Sequence, residues 1–133
     1  MKAIIDTNVV VSSIFWGGVP REIVENWLAG AFNLIVCDDI IKEYEQIFKR
    51  ISRKYKRFES DGLLQLIVQN AQFYPVVPNV GPECSDKKDQ VFLDLAVIAS
   101  AKYLVSGDKD LLDVGNYPGG TVIKPKPFLD LLV

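Results

Sequence analysis

The chain has 133 residues, about half of them apolar, which suits one domain with a core that needs no disulfide or metal staples. There are 17 acidic and 15 basic residues, a formal charge of −2, two cysteines (Cys37 and Cys84) and no histidine. The missing histidine excludes Ser-His-Asp and Cys-His nucleophile systems, and cysteines without ligand spacing argue against zinc. No apolar run could cross a bilayer, and Met1–Asp6 does not read as a signal peptide, so the sequence predicts a cytoplasmic protein with no membrane contact.

In chain order, residues 2–5 form an apolar run that reads as a first strand ending at Asp6. Val9 to Phe15 reads as a helix stopped by Gly17-Gly18; Pro20 opens the next helix and Gly30 closes it. Asn33 to Cys37 is a second strand, with Asp38 or Asp39 capping a helix that carries Ile40, Ile41, Tyr44, Ile47, Phe48 and Ile51 on one face. That helix runs into a basic stretch. A further helix covers roughly 59–73, and Val76-Val77, set between Pro75 and Pro78, leaves room for a short strand. After a Pro/Gly loop, Asp89 to Lys102 reads as an amphipathic helix. Tyr103 to Ser106 is a strand ending at Gly107-Asp108, Asp110 to Val114 a short helix, Thr121 to Lys124 a last strand, and Phe128 to Leu132 a terminal helix. Strands alternating with helices predict an α/β fold, a three-layer α/β/α sandwich on a mainly parallel sheet of four to five strands.

Two strands finish alike, Ala3-Ile4-Ile5-Asp6 and Leu104-Val105-Ser106-Gly107-Asp108. Ligands of open parallel sheets bind beyond the carboxyl ends of the strands, at the switch point, so neighbouring strands there would aim both carboxylates into one cleft. Either aspartate alone reads equally well as a turn or helix cap; the matched pair points to a site. Crowded carboxylates repel, and a hard divalent cation, Mg2+ or Mn2+, relieves them. Glu43 and Glu45 lie at opposite edges of their helix's apolar stripe, and periodicity does not choose between them. Asp89 sits at the edge of its helix's apolar face, where the helix dipole alone favours an acid. Asp86 reads as a cap, and Asp94 is expected on the solvent side. Trp16 and Trp27 read as core.

Ile4-Ile5-Asp6-Thr7-Asn8-Val9 resembles the opening motif of PIN domains. Asp86-Lys87-Lys88-Asp89-Gln90-Val91-Phe92-Leu93-Asp94-Leu95-Ala96 resembles the D-x-x-D-x-x-F-L-x-x-A segment of their small stand-alone, VapC-like members. Tyr103 to Leu111 resembles the strand and acidic turn that follow. The resemblance covers nearly the whole chain. It implies a metal-dependent ribonuclease, the toxin of a toxin–antitoxin pair, with an RNA substrate, a protein antitoxin and a homodimeric state. It assigns Asp6, Glu43, Asp89 and Asp108 to a site for one or two Mg2+ or Mn2+ ions, with Asn8, Ser106 and Asp110 in support. Metal-activated water would be the nucleophile, leaving 5′-phosphate and 3′-hydroxyl ends.

The six basic residues Lys49, Arg50, Arg53, Lys54, Lys56 and Arg57, interleaved with Tyr55, could contact RNA phosphates and stack on a base. Cations near a helix C-terminus are also favourable without any ligand. A non-catalytic binding module on the same fold is the alternative reading, and the intact acids argue against it. A phosphotransfer or receiver-type domain fits less well. Asn8 stands where a haloacid-dehalogenase site needs its second aspartate, and Pro75 to Pro78 offers no phosphoacceptor.

Overall fold

The computed structural model describes residues 1–54 and 61–133. Among them are strands β1 (Lys2–Ile5), β2 (Asn33–Val36), β3 (Gln72–Phe73), β4 (Tyr103–Val105), β5 (Asn116–Tyr117) and β6 (Gly120–Ile123). The helices are α1 (Thr7–Phe15), α2 (Gly18–Leu28), α3 (Asp38–Lys54), α4 (Asp61–Asn70), α5 (Gln90–Ala99), α6 (Lys109–Val114) and α7 (Pro125–Leu132), with a 3-10 turn at Lys87–Asp89. They form the expected three-layer α/β/α sandwich.

The sheet order is β3-β2-β1-β4-β6-β5, parallel except for the β5–β6 pair. The chain steps from β1 out to β2 and β3, then crosses back to lay β4 against the other side of β1. The β1–β4 seam is therefore the switch point, as the matching strand ends required. Strands covered on both faces need unbroken apolar runs. Ala3-Ile4-Ile5, Leu34-Ile35-Val36 and Leu104-Val105 supply them, all fully buried. Helix α5 lies against β1 and β4, α1 against α2 and α3, and α2 against α7.

The six strands exceed the expected four to five. The strand expected at Val76-Val77 lies earlier, at Gln72–Phe73, paired with Ile35 and Val36. Pro75 and Pro78 have no N–H to give a ladder, whereas Tyr74 N–H still reaches Val36 O at 3.0 Å. The unforeseen strand is β5, which turns back on β6 through Pro118-Gly119. Gly120 is needed there, because a Cβ would stand 2.3 Å from Ala101 O and 2.6 Å from Lys102 O. Helix α5 ends three residues early, at Ser100 in the left-handed conformation (φ 52°). Of the tryptophans, Trp27 is core, but Trp16 is 62% exposed beside Phe15, where Gly17 has already turned the chain. The expected start of the helix over 59–73 falls partly outside the described residues, and its end, Asn70, gives way to β3.

Candidate metal centre

Asp6 and Ser106 each follow a strand directly, and the ladder runs one rung further to hold them. Asp6 N–H donates to Val105 O at 3.0 Å and Ser106 N–H to Ile123 O at 2.9 Å. The Asp6 carboxylate, only 5% exposed, accepts Val9 N–H at 3.1 Å on Oδ1, capping α1, and the Ser106 hydroxyl on Oδ2. The same Ser106 oxygen accepts Asp108 N–H at 2.9 Å, and Asp108 Oδ1 caps α6 through Asp110 N–H at 3.0 Å. Both aspartates are thus helix caps, yet both also converge on the seam. Burial pushes the Asp6 carboxyl above its usual range against the hydrogen bonds from Ser106 and Val9, and the Asp108 charge pushes the same way.

From the other side comes the 3-10 turn. Asp86 caps it by accepting Lys88 N–H at 3.0 Å, and Asp89 N–H returns to Asp86 O at 3.1 Å. Among the described residues, Asp89 Oδ2 is a buried side-chain oxygen with no hydrogen-bond partner. The Asp89 carboxyl is pushed up to about 8. Burial is the largest cause, followed by hydrogen bonding with the Asp108 carboxyl and then the charges of Asp108, Asp86 and Asp6. Oxygens of Asp86, Asp89 and Asp110 lie within 4.8 Å of one another, and Ser85 Oγ donates to Asp110 Oδ1 at 3.0 Å. A buried carboxylate oxygen lacking a donor and facing other carboxylates calls for a proton or a cation. The all-oxygen donor set fits a hard divalent ion.

The structure separates the two glutamates. Thr7, the residue after Asp6, donates its hydroxyl to Glu43 Oε2, while Glu45 pairs with Lys49 at 2.8 Å on the surface. Asp6 and Glu43 both bear on the Tyr44 hydroxyl beneath them. That hydroxyl is raised well above its ordinary value, first by burial and then by these two charges, and it donates to Ile5 O at 2.5 Å. Exposed Asn8 joins Asp6, Ser12, Pro20, Asp108 and Pro125 in lining a cleft of about 560 Å³ at the strand ends.

Of the acids singled out in the sequence, Asp6, Asp89 and Asp108 act on one another directly. Asp110 borders Asp89, and Glu43 is attached through Thr7. Asp94 is a correction: it is 3% exposed rather than solvent-facing, because the loop before α5 folds over it. In the basic stretch Lys49 is paired with Glu45, Arg50, Arg53 and Lys54 are exposed, and Tyr55, Lys56 and Arg57 lie outside the described residues. Sequence reasoning gave Asp86 only a capping role and passed over Thr7, Ser85 and Gln90. The D-x-x-D spacing was the available signal for Asp86; the other three announce themselves only through contacts far along the chain.

The sequence profile of the PIN domain matches residues 2–110, and the chain belongs to the PIN domain family. No curated protein and no solved structure matches it. PIN domains are generally nucleases and typically bind a divalent metal, and the carboxylate cluster of Asp86, Asp89 and Asp110, which does not include Asp6, Glu43 or Asp108, accords with both. No helix among the described residues is long and apolar enough to cross a membrane.

Proposed function

We propose that the protein is a Mg2+- or Mn2+-dependent endoribonuclease whose ions are held by Asp6, Glu43, Asp89 and Asp108. The reading rests chiefly on the unpartnered Asp89 oxygen, which faces further acids at the switch point of the sheet. A divalent ion bound there supplies positive charge for the scissile phosphate and activates water. The chain does the rest. Asp6 is held in place by Ser106 and Val9, Asp108 by its cap on α6, and Glu43 by Thr7. Asp86 and Asp110 supply further oxygens on the Asp89 side, where a second ion would sit. Asn8 and the cleft beside Asp6 and Asp108 offer a path for the strand being cut.

Lys49, Arg50, Arg53 and Lys54, with Tyr55, Lys56 and Arg57 beyond them, are proposed to hold the RNA backbone. Lys54 lies eleven residues beyond Glu43 on the same helix, roughly 16 Å at the helical rise, a span a few nucleotides cover. By its VapC-like motifs the protein is proposed to be a cytoplasmic toxin, homodimeric and restrained by an antitoxin protein.

The test is cleavage of a generic single-stranded RNA by wild type and Asp6→Asn, with Mn2+, with Mg2+ and with EDTA. Cleavage that needs metal and disappears in Asp6→Asn, while the variant stays folded, supports the proposal. Equal cleavage by both proteins, or cleavage indifferent to EDTA, overturns it. RNA bound tightly but left uncut under every metal condition would instead establish the non-catalytic module.

A further inference from the structure

The third acidic turn hangs on a loop, not on a strand, and something must hold that loop still. Residues 79–85 carry one proline and one glycine, and apart from buried Cys84 they are exposed or half-exposed. Gly81 lies so close to α5 that a Cβ would come within 2.8 Å of the Leu93 carbonyl. Beneath it is Asp94. Its Oδ1 accepts Gly81 N–H at 2.9 Å and the Gln90 amide at 3.0 Å; its Oδ2 accepts Asn79 N–H at 3.0 Å. Burying a carboxylate is costly, and three donors aimed at two oxygens offset the cost.

Gln90 carries the restraint onward. Its Nε2 also donates to Pro82 O at 2.9 Å, and its Oε1 accepts Cys84 N–H at 2.9 Å. Cys84 comes two residues before Asp86, and Gln90 directly follows Asp89. The side chain of Gln90 therefore closes a ring from residue 84 to residue 90 that contains both acids of the turn. From within the ring, Ser85 reaches across to Asp110.

We propose that Asp94 and Gln90 are positioning residues: they clamp the 79–85 loop onto α5 and staple the Cys84–Gln90 ring, setting Asp86 and Asp89 against Asp110 and Asp108 as a pocket for a divalent cation. The inference rests on the metal-dependent reading above. Neither side chain touches the ion. Asp94→Asn keeps the shape but leaves one acceptor oxygen for three donors, so its own NH2 must face an N–H. Gln90→Met keeps the length and removes the staple without adding charge.

Two readings test it together. Mn2+ affinity is measured by electron paramagnetic resonance on folded protein, and the thiol-modification rates of Cys84 and Cys37 are followed by peptide mapping. Both thiols are 3% exposed, and Cys37, at the end of β2, reports unfolding of the whole domain. Both variants are expected to bind Mn2+ about 10-fold more weakly, the scale seen when partners behind metal ligands are lost. Saturating Mn2+ is expected to restore cleavage. Cys84 is expected to react about 10-fold faster while Cys37 keeps its wild-type rate, since loop release is a local opening.

Wild-type Mn2+ affinity and Cys84 protection in both variants would overturn the proposal and leave the metal site standing. Parallel exposure of both cysteines in Asp94→Asn, with Gln90→Met like wild type, would also overturn it, reducing Asp94 to a core residue. Wild type that binds no Mn2+ would sink the metal-dependent reading and this one with it.

Discussion

The two halves of the acidic site are built on different supports. Asp6 and Asp108 stand at the ends of neighbouring strands, their backbones continuing the ladder and their oxygens taking N–H and hydroxyl donors. Asp89 stands on a loop-borne turn, with one oxygen left without a donor and its carboxyl pushed up to about 8. The strand half is satisfied without a ligand; the loop half is not. A site arranged this way is held ready by its rigid side and completed by its strained side. Affinity should therefore be most sensitive where the hydrogen bonds run out.

The sharpest break is charge removal on either half. Asp6→Asn and Asp89→Asn are each expected to lower Mn2+-dependent RNA cleavage by at least ~100-fold, since the ligands themselves should matter more than the groups behind them. Single-turnover cleavage at saturating metal is the measurement. The halves should then part company in metal-free melts. Asp89→Asn removes a repelled charge that has no donor, and solvent screening at this half-buried position limits its rise in melting temperature to roughly 2–5 °C. Asp6→Asn also removes a buried charge, but one already offset by the Val9 and Ser106 donors, so its gain should be smaller. An equal or larger gain in Asp6→Asn would erase the distinction.

The glutamates come next. Glu43→Gln is expected to cut cleavage about 10- to 100-fold. Glu45→Gln loses only a surface pair with Lys49 and should stay within about 2-fold of wild type, because such pairs contribute little. Comparable losses in the two would mean that Thr7 does not mark the functional glutamate.

A smaller effect follows from protons. Asp89 loses its proton near pH 8 in the folded chain and near ~4 when unfolded, so across that window the folded state binds the proton more tightly. Its contribution to stability is full below about pH 4 and is lost as pH rises toward 8. Burial of Asp6 acts in the same direction. Metal-free protein should therefore melt higher at about pH 5 than at about pH 8. Mn2+ should stabilise it more at about pH 8, where no proton competes, and EDTA should reverse that gain. A flat profile that persists in Asp89→Asn would contradict this. The smallest effect concerns the basic helix end. Arg50→Ala with Arg53→Ala should weaken RNA binding a few-fold and lower the salt slope by roughly 1.4, the counterions of two single-strand contacts.

Much of this was readable along the chain because short-range rules decide it. Apolar runs ending in Asp6 and before Asp108 located the central strands, and their shared endings located the switch point. Gly30 and Pro20 bounded α2. What escaped was set by distant partners. Asp94 follows helical spacing onto a face that would be solvent but for the 79–85 loop, and no local pattern says that a loop covers it. Periodicity left Glu43 and Glu45 tied; a hydroxyl thirty-six residues away separates them. β3 and β5 are two-residue strands whose only signature is a pairing partner elsewhere.

The rung from Asp6 N–H to Val105 O carries a consequence for how the spacing of the site is maintained. Adjacent strands lie about 4.8 Å apart. Because backbone pairing extends onto the acid itself, the gap between the two halves of the seam is gauged by the sheet and not by any side chain. Substitutions around the cleft can retune donors and charge while leaving this gauge untouched. The same rung makes the Asp6 amide a built-in clock: shielded in the central sheet, it should exchange with heavy water only when the whole domain opens, whereas the amides of the 79–85 loop exchange whenever the loop lifts.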